Sequence, residues 1–435
     1  MNILIIGTGY VGVTTALVFA ELGFEVTGLD ADERKVQTLS EGKLTFYEPG
    51  LQDLLDRHLA AGRIHFTSEA KEAIRQNTVL FLCVGTPSDE NGSADLRYIR
   101  AVAEQIGQSM DDYKVIVIKS TVPIHTNERL TTWIAGAQPH PIPFDVVSNP
   151  EFLREGSALQ DALHPDRVII GSRNQAAGLH VQSLYEKLNA PCFLTTPTTA
   201  EMIKYASNSF LATKISFANE LARLCEQLDI NVGDVSIGMG YDHRIGPHFL
   251  KAGIGYGGSC FPKDIKALLH MAKEQHTQLS ILEQVHEVNE TQAEHFLKLW
   301  ERKLGGFAGK RIAILGLSFK PNTDDLREAP SLAVIRYLTA QRAQVRVHDP
   351  VAKLPASLQL AGVRQLEHLE DAVAGCDAAI LCSEWDVYRN ADWGQLRDEF
   401  KQLNIFDGRN VLDRQRLTEL GYTYSGIGIG SAARN

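Results

Sequence analysis

Short apolar runs alternate with helical patterns in the first half of the chain, and this alternation constrains the fold more than any other feature. The runs are NILIIG, FEVTGLD, TVLFLCVGTP, KVIVIKST, FDVVSNP and RVIIGS, and helical segments such as DLRYIRAVAEQIGQSM separate them. A strand that is apolar throughout is buried on both faces, as in a parallel sheet covered by helices. The first half is therefore predicted to form a doubly wound parallel sheet.

The middle of the chain has a different pattern. The segment from Thr198 to Ile230 contains neither proline nor glycine, which predicts one long helix whose small residues would allow close packing in a core or at a subunit interface. From about Gly309 the alternation resumes, in GKRIAILGLSF, QVRVHDP, CDAAILCSEW and LNIFDGRNVLD. We predict an α/β fold of two Rossmann-like doubly wound domains joined by a long central helix, with boundaries at residues 1–197, 198–300 and 301–435.

The bulk composition argues against several classes of protein. The formal net charge of −10 is not that of a general nucleic-acid binder. No apolar run approaches the length of a membrane-spanning helix, and GTGY follows MNILIIG too early for a signal peptide. The six cysteines form no C-x-x-C pair, so we expect reduced thiols in a cytoplasmic protein. Histidines and cysteines at zinc spacing are missing, and no metal site is expected.

A glycine-rich turn follows the first predicted strand. GTGYVG places Gly7, Gly9 and Gly12 where a tight turn opens a helix, so that the helix N-terminus can receive a pyrophosphate. Asp30 ends the next strand, where an acid binds the ribose and repels a 2′-phosphate. The pattern predicts NAD, although Arg34 and Lys35 lie close enough to tolerate NADP.

Further cofactor contacts are expected where other parallel strands end. Thr86 in VGTP and Thr121 in KSTVP occupy such positions. For either threonine alone, a turn or helix cap is an equally good explanation.

The stretch KAGIGYGGSCFPKD sets Cys260 among four glycines and directly before Lys263 and Asp264. A reactive cysteine needs access and groups that favour its thiolate. With a nicotinamide cofactor nearby, a nucleophilic thiol would hold an aldehyde as a thiohemiacetal, which hydride loss converts to a thioester and water hydrolyses to an acid. The stretch predicts a flexible loop with a nucleophile, and a cysteine in a simple hinge remains the alternative.

Several longer stretches closely resemble the nucleotide-sugar dehydrogenases, the UDP-glucose/GDP-mannose dehydrogenase family. They are GIGYGGSCFPKDIKAL, SNPEFLREGSAL, GLSFKPNTDDLREAPS, FDGRN and the pattern AE-x-x-K-x-x-x-N, which begins at Ala200. The resemblance implies a four-electron oxidation of a primary alcohol at the sugar C6 to a carboxylate, with reduction of two NAD. The residues of the cysteine loop and of the stretch FLKAG favour UDP-glucose as the substrate.

Other functions stay open at this stage. A sister enzyme acting on GDP-mannose or a UDP-N-acetylhexosamine would share the chemistry and differ in the pocket. A two-electron 2-hydroxyacid-type dehydrogenase would not need Cys260. A catalytically silent nucleotide-binding regulator would not need the full set of reactive side chains.

The resemblance implies catalytic roles at six positions, two of which, Lys204 and Asn208, would share one helix face. Cys260 would be the nucleophile, and Lys204 and Asn208 would donate to the oxyanion. Asp264 would position water or protons, and Glu151 would be the acid/base for hydrolysis. Thr121 would hold water or the cofactor.

The resemblance also implies ligand contacts. Besides the three glycines and Thr86, the NAD contacts are Tyr10, Val11, Asp30, Lys35, Thr121, Glu155, Lys263 and Arg327. The substrate contacts are Glu151, Phe152, Leu153, Arg154, Glu155, Lys204, Asn208, Phe249, Leu250, Lys251, Ala252, Gly253, Gly257, Lys320 and Arg409. Arg244 is implied to reach the substrate of a neighbouring subunit, so a homodimer is expected. The three predicted parts would bind NAD, form the dimer and catalytic loop, and bind the UDP-sugar.

Overall fold

The computed structural model describes residues 2–87, 89 and 92–430. The chain forms two compact units, the first comprising Met1–Ser207 and Lys266–Glu274 and the second Asn208–Ile265 and Gln275–Asn435. Each unit is built on its own sheet, of eight strands in the first and six in the second. The predicted class, two Rossmann-like doubly wound α/β domains with a long central helix, is confirmed.

The first sheet has the strand order β3-β2-β1-β4-β5-β6-β7-β8. Its strands are β1 Asn2–Ile6, β2 Glu25–Leu29, β3 Ile64–Thr67, β4 Val79–Leu82, β5 Lys114–Ile118, β6 Phe144–Ser148, β7 Val168–Ser172 and β8 Cys192–Thr195. The short strands β3 and β8 lie at the two edges of the sheet, and neither was predicted from the sequence, because neither is a long apolar run. Edge strands are buried on fewer sides, which explains their weaker apolar pattern.

Helices cover both faces of this sheet. They are α1 Tyr10–Glu21, α2 Glu33–Ser40, α3 Leu51–Ala60, α4 Ala70–Gln76, α5 Arg97–Ser109, α6 Thr126–Ala137, α7 Ala158–Leu163 and α8 Gln175–Ser183. Alternate residues of β1 join different cores, since Ile3 and Ile5 pack with Leu17 of α1, whereas Leu4 packs with Ile106 of α5. A strand with a core on each face must be apolar at every position, as the sequence indicated.

One junction departs from the predicted all-parallel sheet. Strands β6 and β7 are antiparallel, with Val147 opposite Ser172. The chain leaves β6 at its carboxyl end, passes through α7 and enters β7 from the same edge without crossing the sheet. A strand that starts where its neighbour ends has to run in the opposite direction.

The second unit repeats the order of the first six strands, as β11-β10-β9-β12-β13-β14, and all of its pairings are parallel. Its strands are β9 Arg311–Leu315, β10 Gln344–His348, β11 Arg364–Gln365, β12 Ala378–Leu381, β13 Asn404–Asp407 and β14 Thr423–Gly426. Its helices after β9 are α13 Pro330–Ala340, α14 Ala356–Leu360, α15 Leu369–Val373, α16 Asp386–Arg389, α17 Trp393–Leu396 and α18 Arg414–Glu419.

The turn after the first strand is also the same in both units. Gly7 has φ +93° and donates its amide to Leu29 O at 2.8 Å, and Gly316 has φ +95° and donates to His348 O at 2.9 Å. An added Cβ at Gly316 would lie 2.5 Å from the Cβ of Ser383. The turn therefore requires glycine for its left-handed φ and for the close neighbouring strand.

Several helices lie in the part of the chain between β8 and β9, together with the irregular segment 241–260. They are α9 Pro197–Leu228, α10 Val232–Gly240, α11 Phe261–Glu274 and α12 Ser280–Leu304. Helix α9 confirms the predicted long helix, within two residues at each end. None of the helices that the structure describes combines the length and the apolar character needed to cross a membrane.

The glycine turn gives a first prediction, on the free energy of unfolding. Gly316→Ala is expected to cost about 2–5 kcal/mol, because a left-handed φ costs an alanine about 1–2 kcal/mol and overpacking about 1–3 kcal/mol more. Gly362→Ala is the matched control, since Gly362 has φ +88° but its added Cβ meets no atom within 4 Å. Urea unfolding of both variants measures the difference, and equal losses would contradict the role of the close contact with Ser383.

Candidate active site

The first unit carries a turn that can receive a phosphate group. Gly9 is the N-cap residue of α1, and no side chain caps that helix end. A Cβ at Gly12 would lie 1.8 Å from Gly7 O, whereas a Cβ at Gly9 would meet nothing within 4 Å. The three predicted glycines thus close the turn and leave open space above it, and the first amides of α1 remain available to an anion.

Asp30 lies directly after β2, beside this turn. Its Oδ2 accepts the Thr8 amide at 2.8 Å, the Thr8 hydroxyl at 2.8 Å and Lys35 Nζ at 3.0 Å. Burial alone would raise the pKa of Asp30, but the hydrogen bonds from the Asp32 and Thr8 amides and from Lys35 lower it. The acid is therefore ionised, and the ammonium of Lys35 compensates its charge.

Tyr10 opens α1 and is tied to a distant loop by Glu48, a residue that the sequence did not single out. The phenol donates to Glu48 Oε2, and the same buried carboxylate accepts the amides of Gly156 at 2.6 Å and Ala158 at 2.7 Å. Burial and the neighbouring carboxylates of Glu48 and Glu155 raise the pKa of Tyr10. Glu48 thus fixes the loop with the predicted ligand residue Glu155 against the first turn of α1.

The two predicted strand-end threonines lie together. The Thr86 hydroxyl donates to Thr121 O at 2.7 Å, which joins the segments that follow β4 and β5. Thr86 is buried and Thr121 is half-buried. Thr121 therefore keeps its hydroxyl at the carboxyl edge of the sheet, where ligands of such folds bind.

Glu151 and Lys204 form a buried ion pair. Lys204 Nζ donates to Glu151 Oε1 at 3.0 Å, and the Leu153 amide donates to Oε2 at 2.5 Å. Both side chains are less than a tenth exposed. Lys204 is therefore not a solvated surface lysine. Glu151 does not begin a helix either, because α7 begins only at Ala158.

The remaining residues of the SNPEFLREG segment surround this pair. The ring of Phe152 lies under two cations, with Arg167 Cζ at 3.8 Å and Lys204 Nζ at 5.2 Å from the ring centroid. Arg154 is exposed and donates from Nη2 to Asp161 Oδ1 at 2.6 Å. The aromatic ring of this segment thus contacts two cations, and its arginine is paired with a carboxylate.

In the second unit, Cys260 directly precedes helix α11. Its side chain is half-buried and its Sγ lies 3.6 Å from Ser259 Oγ. The amide of Asp264 donates to Cys260 O at 2.8 Å, so the cysteine occupies the helix N-terminus. The positive end of a helix favours a thiolate, and Cys260 is thus placed as a nucleophile would be.

Asp264 organises the side chains around the first turn of α11. Its carboxylate is 1% exposed and accepts Asn208 Nδ2 at 2.7 Å and Lys263 Nζ at 2.7 Å. Asn208 is itself buried on α9, one turn after Lys204. The carboxylate of Asp264 thus orients the side-chain amide of Asn208 and the ammonium of Lys263, including their remaining N–H groups.

The glycine-rich stretch before Cys260 is not the flexible loop that the sequence predicted. Residues 252–258 are all buried. Asn219 Oδ1 accepts the Gly253 amide at 2.8 Å, Gln292 Nε2 donates to Gly253 O at 2.9 Å, and Asn289 pairs with both main-chain groups of Tyr256 at 2.8 and 3.1 Å. A buried segment without a strand partner needs such acceptors and donors, and the amides of α9 and α12 supply them.

Its glycines serve close packing. Gly255 has φ +108° and Gly258 φ +86°. A Cβ at Gly257 would lie 2.2 Å from Glu328 O. The loop is therefore held in one conformation that other residues could not adopt.

Arg409 joins this loop to the second sheet. Its guanidinium donates to Cys382 O at 2.7 Å, to Gly255 O at 2.9 Å and to Phe319 O at 3.2 Å. Cys382 directly follows β12, Gly255 lies in the loop before Cys260, and Phe319 directly precedes Lys320. Arg409, which is predicted to bind UDP, thus donates to main-chain carbonyls. These hydrogen bonds fix the loop before Cys260 relative to the loop before Lys320.

The other predicted ligand residues have varied environments. Arg327 and Arg244 are exposed, and each forms a two-point ion pair, with Asp325 and Asp242 respectively, that includes contacts of 2.7 and 2.6 Å. Leu250, Ala252, Gly253 and Gly257 are buried, Lys251 is exposed, Phe249 has φ +64°, Lys320 Nζ lies 5.1 Å from the Phe319 ring centroid, and Val11 is half-buried.

The predicted catalytic residues fall into two groups. Thr121, Glu151 and Lys204 belong to the first unit, and Asn208, Cys260 and Asp264 belong to the second. Among the described residues, no group of three or more His, Cys, Asp or Glu could hold a metal ion. The sequence also missed Lys119, a buried lysine directly after β5 whose ammonium donates to Asn149 Oδ1. A lysine directly after the apolar run VIVI was the available signal.

Comparison with known families covers all three parts of the chain. Residues 1–189, 198–291 and 313–414 match the NAD binding domain, the central domain and the UDP binding domain of the UDP-glucose/GDP-mannose dehydrogenase family.

Individual relatives are similar over nearly the whole length. The chain is 42% identical to UDP-glucose 6-dehydrogenase TuaD of Bacillus subtilis over 98% of this chain and 93% of the relative. It is 43% identical to the UDP-glucose 6-dehydrogenase of Pseudomonas aeruginosa, over 98% and 97%. The solved UDP-glucose dehydrogenase of Pyrobaculum islandicum superposes with a TM-score of 0.90 at 38% identity, over 98% and 97% of the two chains.

These similarities confirm the predicted NAD cofactor and the predicted oxidoreductase class. They run through both sheets and the helices between them, and they include the segments that carry Glu151, Lys204 and Cys260. The chain belongs to the UDP-glucose/GDP-mannose dehydrogenase family.

Proposed function

We propose that this protein oxidises the C6 hydroxymethyl group of UDP-glucose to a carboxylate, giving UDP-glucuronate with reduction of two NAD. The observation that carries the proposal is Cys260, half-buried at the N-terminus of α11 and followed by the Asn208–Asp264–Lys263 hydrogen bonds. Two relatives that are 42% and 43% identical to this chain, over 98% of its length, are UDP-glucose 6-dehydrogenases.

The first unit fits NAD. The open space above Gly9, the uncapped start of α1 and the ionised Asp30 suit a pyrophosphate and a ribose. Tyr10, Val11, Lys35, Thr86, Thr121, Glu155, Lys263 and Arg327 are proposed as further contacts. NAD, when bound, accepts one hydride from the substrate carbon in each of the two oxidation steps.

Cys260 is proposed as the nucleophile between these steps. The first oxidation removes a hydride and a proton from the alcohol and leaves an aldehyde. The thiolate then forms a C–S bond to the aldehyde carbon, and the carbonyl oxygen takes a proton to give a thiohemiacetal. Loss of the second hydride and of the hydroxyl proton gives a thioester. Water adds to that carbonyl, the C–S bond breaks, and the thiolate and the carboxylic acid are released.

Lys204, Asn208 and Asp264 are proposed to stabilise charge during these steps. The ammonium and the amide would donate hydrogen bonds to the developing oxyanion, as preorganised donors do. Asp264 keeps the amide of Asn208 oriented through the 2.7 Å hydrogen bond. Glu151 would take a proton from the attacking water, with Thr121 holding that water or the cofactor.

The remaining expectations follow from the same family roles. We propose residues 1–197 as the NAD-binding part, 198–300 as the dimer and catalytic-loop part, and 301–435 as the part that binds the UDP-sugar. The substrate contacts are proposed to be residues 151–155 and 249–253 with Lys204, Asn208, Gly257, Lys320 and Arg409. Arg409 would act mainly through the Gly255 and Phe319 carbonyls that it holds.

We further propose a homodimer built on α9. Four large apolar side chains on this helix are exposed, namely Phe210 at 66%, Phe217 at 46%, Leu224 at 51% and Leu228 at 58%. Phe210, Phe217 and Leu224 recur every seven residues and Leu228 follows four residues later, so the four side chains form one stripe. An apolar stripe of this kind is typical of a protein interface. Arg244, exposed after α10, would then contact the substrate of the other subunit.

The reaction is tested by the yield of NADH when UDP-glucose is limiting and NAD is in excess. Two NADH per UDP-glucose are expected, because the alcohol is oxidised twice before release. One NADH would mean an aldehyde or ketone product and would exclude the thioester route. No NADH with UDP-glucose, but two with GDP-mannose or a UDP-N-acetylhexosamine, would keep the chemistry and change the substrate.

The same assay with Cys260→Ser tests the nucleophile. The variant is expected to lose at least about a hundredfold in the rate of acid formation while NAD binding is kept, since a neutral hydroxyl is a far weaker nucleophile than a thiolate. Cys192→Ser, at another half-buried thiol, is the control. Acid formation at the normal rate in the Cys260 variant would rule out the covalent intermediate.

Arg409→Lys tests whether the guanidinium positions the cysteine loop. A lysine cannot reach three carbonyls, and the loss of one or two hydrogen bonds of about 1 kcal/mol each is expected to lower kcat about five- to thirtyfold. The alkylation rate of Cys260 should change as well, while the affinity for UDP changes little. Arg389→Lys, at an exposed arginine of the same unit, is the control. A large loss of UDP affinity with unchanged kcat would instead identify Arg409 as a direct ligand.

Phe217→Glu tests the dimer. A charge in the centre of the stripe should dissociate the subunits, because it would be buried without a partner. Sedimentation velocity of the wild type, of this variant and of Phe193→Glu, at a phenylalanine 53% exposed on β8, gives the comparison. A wild-type monomer, or a Phe217→Glu variant that sediments like the wild type, would refute this interface.

A further inference from the structure

A second buried lysine lies close to the Glu151–Lys204 pair in the first unit. Lys119 follows β5 directly, its amide donates to Leu82 O at 2.9 Å, and the residue is 9% exposed. Its Nζ donates to Asn149 Oδ1 at 3.1 Å and to the Tyr185 hydroxyl at 3.3 Å. Both acceptors are neutral, so the ammonium is buried without a carboxylate in hydrogen-bond contact.

Asn149 connects this ammonium to the catalytic segment. Its Nδ2 donates to Ile169 O at 2.8 Å, which fixes Oδ1 as the acceptor for Lys119 and for the Tyr185 hydroxyl. Asn149 is fully buried, and only Pro150 separates it from Glu151. The position of Glu151 therefore depends on the hydrogen bonds that Lys119 and Tyr185 give to one amide oxygen.

Charge balance around Lys119 is incomplete. The titratable groups that face it are Cys83 after β4, Tyr185 after α8, Glu151 after β6 and Lys204 on α9. Burial raises the pKa of Cys83 to about 12 and also raises the pKa of Tyr185, so both are neutral. The ammonium groups of Lys119 and Lys204 thus both interact with the carboxylate of Glu151, and burying the second cation costs desolvation free energy.

We propose that Lys119 is a positioning residue whose buried ammonium holds Asn149, and through it Glu151, in place when Lys204 turns from Glu151 to the substrate oxygen. This inference rests on the function proposed above, in which Lys204 stabilises an oxyanion and Glu151 accepts a proton from water. Without a second cation, Glu151 would lose its partner in the step for which its charge is needed. Lys119 supplies that cation without contacting the substrate.

The charge on Lys119 depends on pH. Burial is the main cause that lowers the pKa of Lys119, from 10.5 to about 8, with opposing contributions from Cys83 and Glu151. Below about pH 8 the ammonium is charged in the folded protein, and above it the charge is lost. The proposal therefore predicts a fall in kcat above about pH 8 that disappears when the charge at this position is made permanent.

Three variants test this in the kcat profile from pH 6 to 10. Lys119→Met is expected to lose about tenfold or more in kcat at pH 7, because displacing a positioned group by about 1 Å can cost about a hundredfold in rate. Lys119→Arg should recover most of the rate and lack the fall near pH 8. Lys114→Met is the matched control, at the buried lysine that begins β5, whose ammonium donates to Arg75 O at the other end of the strand. It should keep the wild-type profile.

A measurement without substrate separates this proposal from the assignment of UDP-glucose. The folded state of the wild type releases the Lys119 proton near pH 8 and the unfolded state near 10.5, so stability should rise with pH between these values. In Lys119→Met this contribution is missing. The urea midpoint of the wild type relative to this variant should therefore increase from pH 8 to pH 10.

Each outcome decides one point. A rising midpoint difference together with the arginine rescue supports the proposal. A midpoint difference that is independent of pH, or a fall in kcat near pH 8 that persists in Lys119→Arg, would overturn it. If UDP-glucose is not oxidised, the midpoint still reports on the ammonium, and the profile is measured with the nucleotide sugar that gives NADH.

Discussion

Both sheets depend on a carboxylate that accepts main-chain amides from the turn after the first strand. Asp30 receives the Thr8 amide at 2.8 Å in the first unit, and Asp349 receives the Leu317 amide at 2.7 Å in the second. The turn leaves the sheet, so its amides lose their ladder partners and require another acceptor. Because each acid follows the adjacent strand, the bond fixes the carboxyl edge from which the functional loops start.

The cysteine loop shows that a glycine-rich sequence can encode a fixed conformation. Asn219, Asn289 and Gln292 satisfy its buried peptide groups from two helices, and Arg409 adds a donor from the second sheet. Glycine is required there because a Cβ would collide with neighbouring main chain, as at Gly257. If Cys260 acts as the proposed nucleophile, a loop held in this way needs little reorganisation before attack, which is the condition for effective proximity.

The sequence predicted most of the fold, and it indicated the side chains that are proposed above as reactive. The buried strands, the long helix and Cys260 carry local patterns, and those patterns depend on burial and chain geometry that act within a few residues. The rigid loop, the carbonyl contacts of Arg409 and the role of Glu48 could not be read in this way. Their partners lie far apart in sequence, and nothing local in Asn219 or Glu48 indicates which distant amide it will meet. The antiparallel β7 likewise depends on where the chain re-enters the sheet.

The two related sheets also explain why one chain can hold two different nucleotides. The Oδ1 of Asp30 accepts the Asp32 amide at 3.1 Å, which leaves capacity on that oxygen for a ribose hydroxyl. The Oδ1 of Asp349 already accepts the amides of Val351 at 3.0 Å and Ala352 at 2.8 Å, and the residue is buried. A carboxylate that is saturated by main chain cannot select a ribose. The second sheet must therefore bind a nucleotide through other groups, and the residues proposed above for this role are Lys320 and Arg409, which holds the Phe319 carbonyl beside Lys320.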